Sequence, residues 1–441
     1  MKNIFKSICC LLVFLLMQGC TKEQNVTIKE ELCRKTSTFV SVDEATEGLK
    51  EFISSTNIPT RSGKQRSISE VTTLGGFGES RAVDATEDAP LVYLFNFENE
   101  EGFALVSGDS RVGGILAFVE EGNLDPKKGI DNPGFTIFLQ YADIYYRLKT
   151  SLPLPGDEAQ NDITRSGDDP WEDYDPDIDA DYVEYSDWTN RGVGTGHILQ
   201  CKWNQNYPLN MYCRTADGQR ALVGCVAIAV GQIMYHHAHN YRYNGTYYDW
   251  DTIFYYKSVY NYNEEALDMA ARLVADLGRP ENLDMDYGVD ASGAYSSNVA
   301  RTVANFGYTH TGTLSTTSGF NTSYGPIYVC GTALDTSNIP NYNPLGIYST
   351  ESHYSSHAWI IDASLEQERA VYTYLYNGIL AKTEYEYRTL CHCNWGWGGL
   401  ADGYYMGDLF QLNECVIPDT TIYNSSFHFD RNIYYIHGIR P

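Results

Sequence analysis

Between Pro153 and Asp187 the chain runs PLPGDEAQNDITRSGDDPWEDYDPDIDADYVEYSD, so dense in proline and aspartate and so short of aliphatic side chains that it can add little to a packed core. A solvated connector there, taken as residues 151–187, divides the 441 residues into a unit ending at residue 150 and a second running from about Trp188 to Pro441. Each side is long enough for its own core, and a hydrophobic content of 43% supplies the material. Proteolysis concentrates in such connectors, and Arg165 is one basic site within this one.

Upstream, Lys2 and Lys6 precede an apolar run from Ile8 to Met17, then Gly19, Cys20 and a polar tail. The run is too short to cross a bilayer as a mature helix, so residues 1–20 read as an export signal. Its Leu-Met-Gln-Gly-Cys ending resembles a bacterial lipobox, which implies a lipid anchor on Cys20 and an outer-membrane or cell-surface location; plain cleavage and secretion is the other outcome. A formal charge of -26 argues against nucleic acid as a partner, because phosphate binding needs a basic footprint.

Eleven cysteines do not form a dense, even framework. Cys9 and Cys10 leave with the signal and Cys33 stands alone, while seven more lie at 201, 213, 225, 330, 391, 393 and 415. If those seven pair only among themselves, at least one thiol stays free. Cys201 with Cys213, or Cys391 or Cys393 with Cys330 or Cys415, are open pairings.

Residues 21–150 read as a small α+β unit. SVDEATEGLKEFISS has helical spacing through Ala45, Leu49, Phe52 and Ile53. A polar, mobile stretch from about Pro59 to Asp88 follows, then a strand meander in PLVYLFNFENEEGFALVSGDSRVGGILAFVEEG and a helix in NPGFTIFLQYADIYYRLKTSL. Residues 188–441 are tyrosine-rich, with a helix around Glu264 to Leu277 and strands dominating after it.

The chemistry gathers around LVGCVAIAVGQIMYHH, residues 222–237. Val226, Val230, Ile233, Met234 and His237 recur at spacings of three and four without a proline, which predicts one helix with Cys225 in its first turn. Free N–H groups and the helix dipole would there lower the thiol pKa. Alone, Cys225 reads first as an unreactive buried thiol, and only second as a nucleophile. A cysteine nucleophile needs a base, and His357 starts a strand carrying Trp359 and Ile361; the base needs an orienter, and Asn394 sits beside Trp395 and Trp397. Gln205 is an upstream amide donor suited to an oxyanion.

Gln, Cys at a helix start, His, then Asn followed by Trp is the chain order of papain-like cysteine proteases. WNQNYPLN, GCVAIAVGQIMYH, DMDYG, HAWIID and NWGWGG resemble the streptopain family in particular, and GFALVSGDSRVGGILAF resembles its prodomain. The resemblance implies an α+β, papain-like catalytic domain, a helical subdomain plus an antiparallel β subdomain, over residues 188–441, behind a small α+β prodomain. It implies a latent endopeptidase hydrolysing protein or peptide substrates without a cofactor, its prodomain acting as an intramolecular inhibitor that blocks the cleft until the connector is cut. Cys225 would be the nucleophile, His357 the base and later acid, and Gln205 with the Cys225 N–H the oxyanion hole. Asn394 would orient the imidazole and Trp395 shield that contact. A thiolate–imidazolium pair of this kind keeps activity at mildly acidic pH.

Four departures surround the implied cleft. Ser356 stands where the family has Gly, and Leu209 where it has Tyr. LEQERAVYTYLYNGILAKTEYEYRTLCHC is a longer insertion, readable as a strand pair turned at Asn377-Gly378, and NECVIPDTTIYNSSFHFD replaces a Gly-rich loop.

Other readings of the same residues remain. His236, His237 and His239, and the Cys-His-Cys at 391–393, invite a metal, yet no four-ligand set has usual spacing and no metal is expected. Thirty-six tyrosines would suit a catalytically silent, protease-shaped surface protein that binds glycan or protein, although their strand alternation favours core positions. A stand-alone protease inhibitor is the third alternative.

Overall fold

Ser41 caps the first helix, α1 (Val42–Thr56): its N–H and hydroxyl bond Glu44 Oε2, and its Oγ accepts from the Glu44 N–H, a reciprocal capping box. The structure, a computed structural model, describes residues 38–56, 58–75, 92–150, 182–191, 196–310, 320, 322–333, 343–348, 356–375, 378–410 and 433–441. The export signal, Cys20, Cys33, Arg165, Asn377, Cys415 and the 413–430 segment lie outside the described residues, as does most of the connector. Among the described residues no helix is long and apolar enough to cross a membrane.

After α1 come β1 (Ile68–Leu74), β2 (Val92–Phe97), β3 (Phe103–Ser107) and β4 (Ile115–Val119), paired antiparallel in that order, then helix α2 (Pro133–Thr150). The meander and both helices follow the hydrophobic pattern. β1 does not, since it falls within the stretch expected to be polar and mobile. ISEVTTL carries the β-forming residues Ile, Val and Thr, and the open edge of β2 takes them as a partner, leaving Ser69, Glu70, Val71 and Thr73 exposed at the sheet margin.

The rest of the chain contributes β5 (Tyr182–Tyr185), β6 (Thr189–Asn190), β7 (Arg242–Tyr243), β8 (Thr246–Tyr247), β9 (Ile327–Thr332), β10 (Ser356–Tyr374), β11 (Leu380–Asn394), β12 (Gly403–Met406) and β13 (Ile433–Ile436). Its helices are α3 (Cys225–His237), α4 (Trp250–Ile253), α5 (Glu264–Leu277) and α6 (Val299–Asn305). Two compact units result. The larger comprises Val40–Thr164, Asp187–Glu368 and Tyr387–Pro441, and the smaller Met1–Phe39, Arg165–Ser186 and Arg369–Glu386.

In the larger unit the two expected cores are not separate on either side of the connector. β4 pairs with β12 through Val119↔Gly403, Phe118↔Tyr404 and Ala117↔Tyr405, so the N-terminal meander continues the sheet formed by β12, β11, β10, β9 and β13. On one face, Phe118, Phe135 and Phe138 share a core with Trp359, Trp395, Tyr405 and Phe410. On the other, Ala358, Ile360 and Tyr328 meet α3 and α5 in a second core. Period-2 alternation along β10 thus divides Trp359 and Ile361 from Ala358 and Ile360. Helix α3 is buried continuously from Val226 to Tyr235, with Gly231 lying against the Trp203 indole.

In the smaller unit β5 pairs with Val371–Tyr374 of β10, the Tyr182 and Tyr374 rings stack at 4.9 Å, and Arg369 bonds Glu386 while lying over Tyr185. The end of the connector is therefore a strand, because Tyr182, Val183 and Tyr185 find a ladder the sequence does not reveal. The expected strand pair at 365–393 is present, with Gly378 at φ 79° beside the Leu375 N–H···Ile379 carbonyl bond.

Candidate active site

Helix α3 begins at Cys225 because Gly224 turns the chain into it at φ 89° and ψ 137°. A Cβ there would meet Met285 Sδ at 2.9 Å, so both the backbone angle and the space require glycine. The Val223 N–H bonds the Gln205 carbonyl at 3.0 Å and the Leu222 N–H bonds Gly288 at 3.0 Å, which fixes how the thiol enters the cleft. The thiol is partly buried, and that burial raises its pKa; the N–H groups of Ala358, Val226 and Cys225 pull the other way without prevailing. The sequence expectation of a lowered thiol pKa is therefore not met in this state, because desolvation exceeds the helix-terminus effect.

His357 starts β10 opposite Gly331 of β9. It is 3% exposed, lies 5.8 Å from Trp397 edge to face, and is held at a pKa of about 4 by burial, against the opposing contact with Trp395. Its Nε2 is 2.8 Å from the Trp395 carbonyl oxygen. A carbonyl only accepts, so Nε2 carries the proton and Nδ1 is left as the basic nitrogen of the neutral ring. No hydrogen bond joins Cys225 to His357, and burial works against the charged form of each, and so against the expected ion pair.

Asn394 does not orient this imidazole. Its Oδ1 accepts from Gln232 Nε2 and the Gly396 N–H, both at 3.1 Å, and its Nδ2 donates to the Cys201 carbonyl at 3.0 Å. Gln232 in turn accepts from the Trp203 N–H. Asn394 thus ties the end of β11 to α3 and sets the turn that presents the Trp395 carbonyl. Nor does the Trp395 ring shield the contact. It is fully buried in the sheet core against Trp359 and Tyr405, with its Nε1 on the Ala401 carbonyl, while Trp397 covers His357. The NWGW spelling contains both tryptophans, but the turn at Gly396 breaks the strand alternation that would have sorted them.

Gln205, Cys225 and His357 come together on a cleft of about 350 Å³, whose walls also include Ser296, Cys330 and Trp397. Cys330 and Trp397 are the residues sequence reasoning missed; Cys330 had been a disulfide candidate, yet all six described cysteines are free. No described residue of the N-terminal segment lines the cleft. That segment packs behind the site: the apolar face of α2 seeks the sheet, Gly134 lies against the Trp395 ring, and Tyr141 Oη donates to the Thr332 carbonyl at 3.2 Å. The described N-terminal residues do not plug the cleft, and residues 76–91 of the same segment lie outside the described residues.

Residues 203–405 match the Peptidase C10 family, and residues 37–145 match the Spi protease inhibitor family. Streptopain of Streptococcus pyogenes is 25% identical over 346 residues, which cover 72% of this chain and 74% of that protein. The thiol protease/hemagglutinin PrtT of Porphyromonas gingivalis is 25% identical over 334 residues, covering 72% of this chain and 34% of its own. The solved structure of a prointerpain A fragment from Prevotella intermedia aligns with 82% of this chain and 98% of that one, at a TM-score of 0.47 and 19% identity.

Proposed function

We propose that this chain, whose residues 203–405 match the Peptidase C10 family behind a Spi-type segment at 37–145, is a cysteine endopeptidase whose nucleophile is Cys225 and whose acid and base is His357. The observation that carries this reading is the shared cleft, in which a thiol at a helix N-terminus, a histidine with one nitrogen committed to a carbonyl, and a buried amide converge.

In the reaction, His357 Nδ1 takes the thiol proton and the Cys225 sulfur attacks the substrate carbonyl carbon. The oxyanion is met by the Cys225 N–H and the Gln205 amide. Imidazolium then protonates the departing amine, leaving an acyl-enzyme, and the regenerated base activates water to hydrolyse it. The Trp395 carbonyl keeps the tautomer correct throughout, and Asn394 holds that carbonyl in place. In the latent state, α2 presses on Trp395, keeping His357 dry and neutral; releasing the segment hydrates the imidazole and lets the ion pair form. Export, with lipid on Cys20, is the accompanying proposal for location.

The test is hydrolysis of an unfolded protein substrate after limited proteolysis of the full chain, with iodoacetamide labelling followed by mass spectrometry. Fast labelling confined to Cys225, and hydrolysis lost in Cys225→Ala and His357→Ala, is expected. Even, slow labelling of several cysteines with no hydrolysis would instead favour a silent binding protein on this scaffold.

A further inference from the structure

Two thiols line the one cleft. Cys330 lies on β9 directly across the ladder from Ala358, and the Ala358 N–H is one of the three backbone groups that act on the Cys225 sulfur. Residues paired across a ladder turn to the same face, and for Cys330 and Ala358 this is the face on which α3 packs. Burial raises the Cys330 thiol to about 11, the Ser296 hydroxyl works against that shift, and the charge of Cys225 adds to it. The other described cysteines, Cys201, Cys213, Cys391 and Cys393, are buried and stand outside the cleft. Peptide hydrolysis as derived above makes no use of Cys330.

We propose that Cys330 is a resolving thiol, which captures oxidised Cys225 as a Cys225–Cys330 disulfide and so keeps the nucleophile recoverable. The proposal rests on reading Cys225 as the reactive thiolate. The oxidant is a hydroperoxide. Cys225 thiolate attacks one peroxide oxygen, the O–O bond breaks, hydroxide or alkoxide leaves, and the sulfur becomes a sulfenic acid. Cys330 sulfur then attacks the Cys225 sulfur, the S–O bond breaks, and the oxygen leaves as water with the Cys330 proton. Two thiols have lost two electrons in total and the peroxide has gained them. An external dithiol reverses the step by exchange, becoming a disulfide itself. Without Cys330, a second peroxide carries the sulfenic acid to sulfinic acid, which a dithiol does not reduce.

The experiment treats the reduced full chain, before and after limited proteolysis, with graded hydrogen peroxide. Non-reducing peptide mass spectrometry reads the linkage, and protein hydrolysis is measured before peroxide, after it, and after dithiothreitol. The wild type is expected to give a cross-linked peptide joining Cys225 to Cys330, two hydrogens lighter than the free pair, and to recover most of its starting activity. Cys330→Ser and Cys330→Ala, each normalised to its own untreated activity, are expected to accumulate sulfinic acid at Cys225 and recover less than about a tenth. Sulfinic acid forming in the wild type as fast as in both variants, or Cys225 linking to another cysteine, would overturn the assignment. If the 225–330 link forms in a chain that hydrolyses nothing, the resolving role stands and the peptidase reading fails; hydrolysis without the link gives the reverse.

Discussion

The Nε2 of His357 rests 2.8 Å from the carbonyl oxygen of Trp395, so the main chain, not an asparagine side chain, sets the tautomer of the imidazole. Asn394 stands one residue away and governs that carbonyl indirectly, by holding Gln232, Gly396 and Cys201 together. Four consequences can be measured.

Asn394→Ala removes three buried hydrogen bonds and strands their partners. An expected loss of about 2–4 kcal/mol of stability follows, read as a lower urea midpoint at unchanged slope. Activity per folded molecule should fall less than in His357→Ala, with the pH profile unmoved. A drop equal to that of His357→Ala would return the orienting role to the asparagine side chain.

His357 is held near pKa 4 in the latent fold against an ordinary value of 6.5. The unfolded chain therefore binds the extra proton first as pH falls, and the stabilisation present above pH 6.5 is lost progressively toward pH 4. The fall from 6.5 to about 4 corresponds to on the order of 3 kcal/mol across that window. His357→Gln cannot titrate, so the stability difference between it and the wild type should narrow by that amount from pH 7 to pH 4; a constant difference would refute the buried neutral ring.

Two neighbouring carboxylates dock the N-terminal segment unequally. Glu120 is partly buried beside His392, 3.6 Å away, and His392 also bonds Asp362; burial alone would raise the Glu120 carboxyl, but His392 outweighs it and holds it at about 2. Glu121 pairs with Lys202 at 2.9 Å on the surface. Glu120→Gln should weaken the latent form by about 1.5–3 kcal/mol and raise its basal activity, whereas Glu121→Ala should change stability by less than about 1 kcal/mol. Equal effects would mean that burial does not separate the two sites. The contribution of Glu120 is present above pH 4.5 and disappears as pH falls toward 2.

The hydrogen-bonded β5 strand resists proteases, so the cut that matures the chain should fall before Tyr182. N-terminal sequencing of the processed product should find its first residue at or before Tyr182. Persistence of the cut in Cys225→Ala would assign it to another protease, and a product starting within 183–185 would show that β5 opens before cleavage.

Element by element, local pattern was a good guide wherever local physics decides. Three-and-four spacing yields α1, α2, α3 and α5, and short apolar runs broken by turns yield β2 to β4. The chain order of Gln205, Cys225 and His357 was enough to nominate three residues that do meet in one cleft. Polar β1 was missed because an edge strand needs only a partner, not a hydrophobic pattern. Trp397 and Cys330 were missed because a ring over a histidine, or a thiol across a ladder, depends on register between segments distant in sequence.

Residue types and their spacing therefore settle which chemistry this chain can attempt, since a helix start, a thiol and an imidazole are local facts. Which groups touch is settled by packing: β4 finds β12, α2 buries Trp395, and a backbone carbonyl reaches His357. Every residue carries the same carbonyl, so no side-chain alphabet can announce which one will be used. The upward push on the Cys225 thiol and the downward push on the His357 imidazole have the same origin, because desolvation is a property of everything packed around a group and not of the group's own neighbours in the chain.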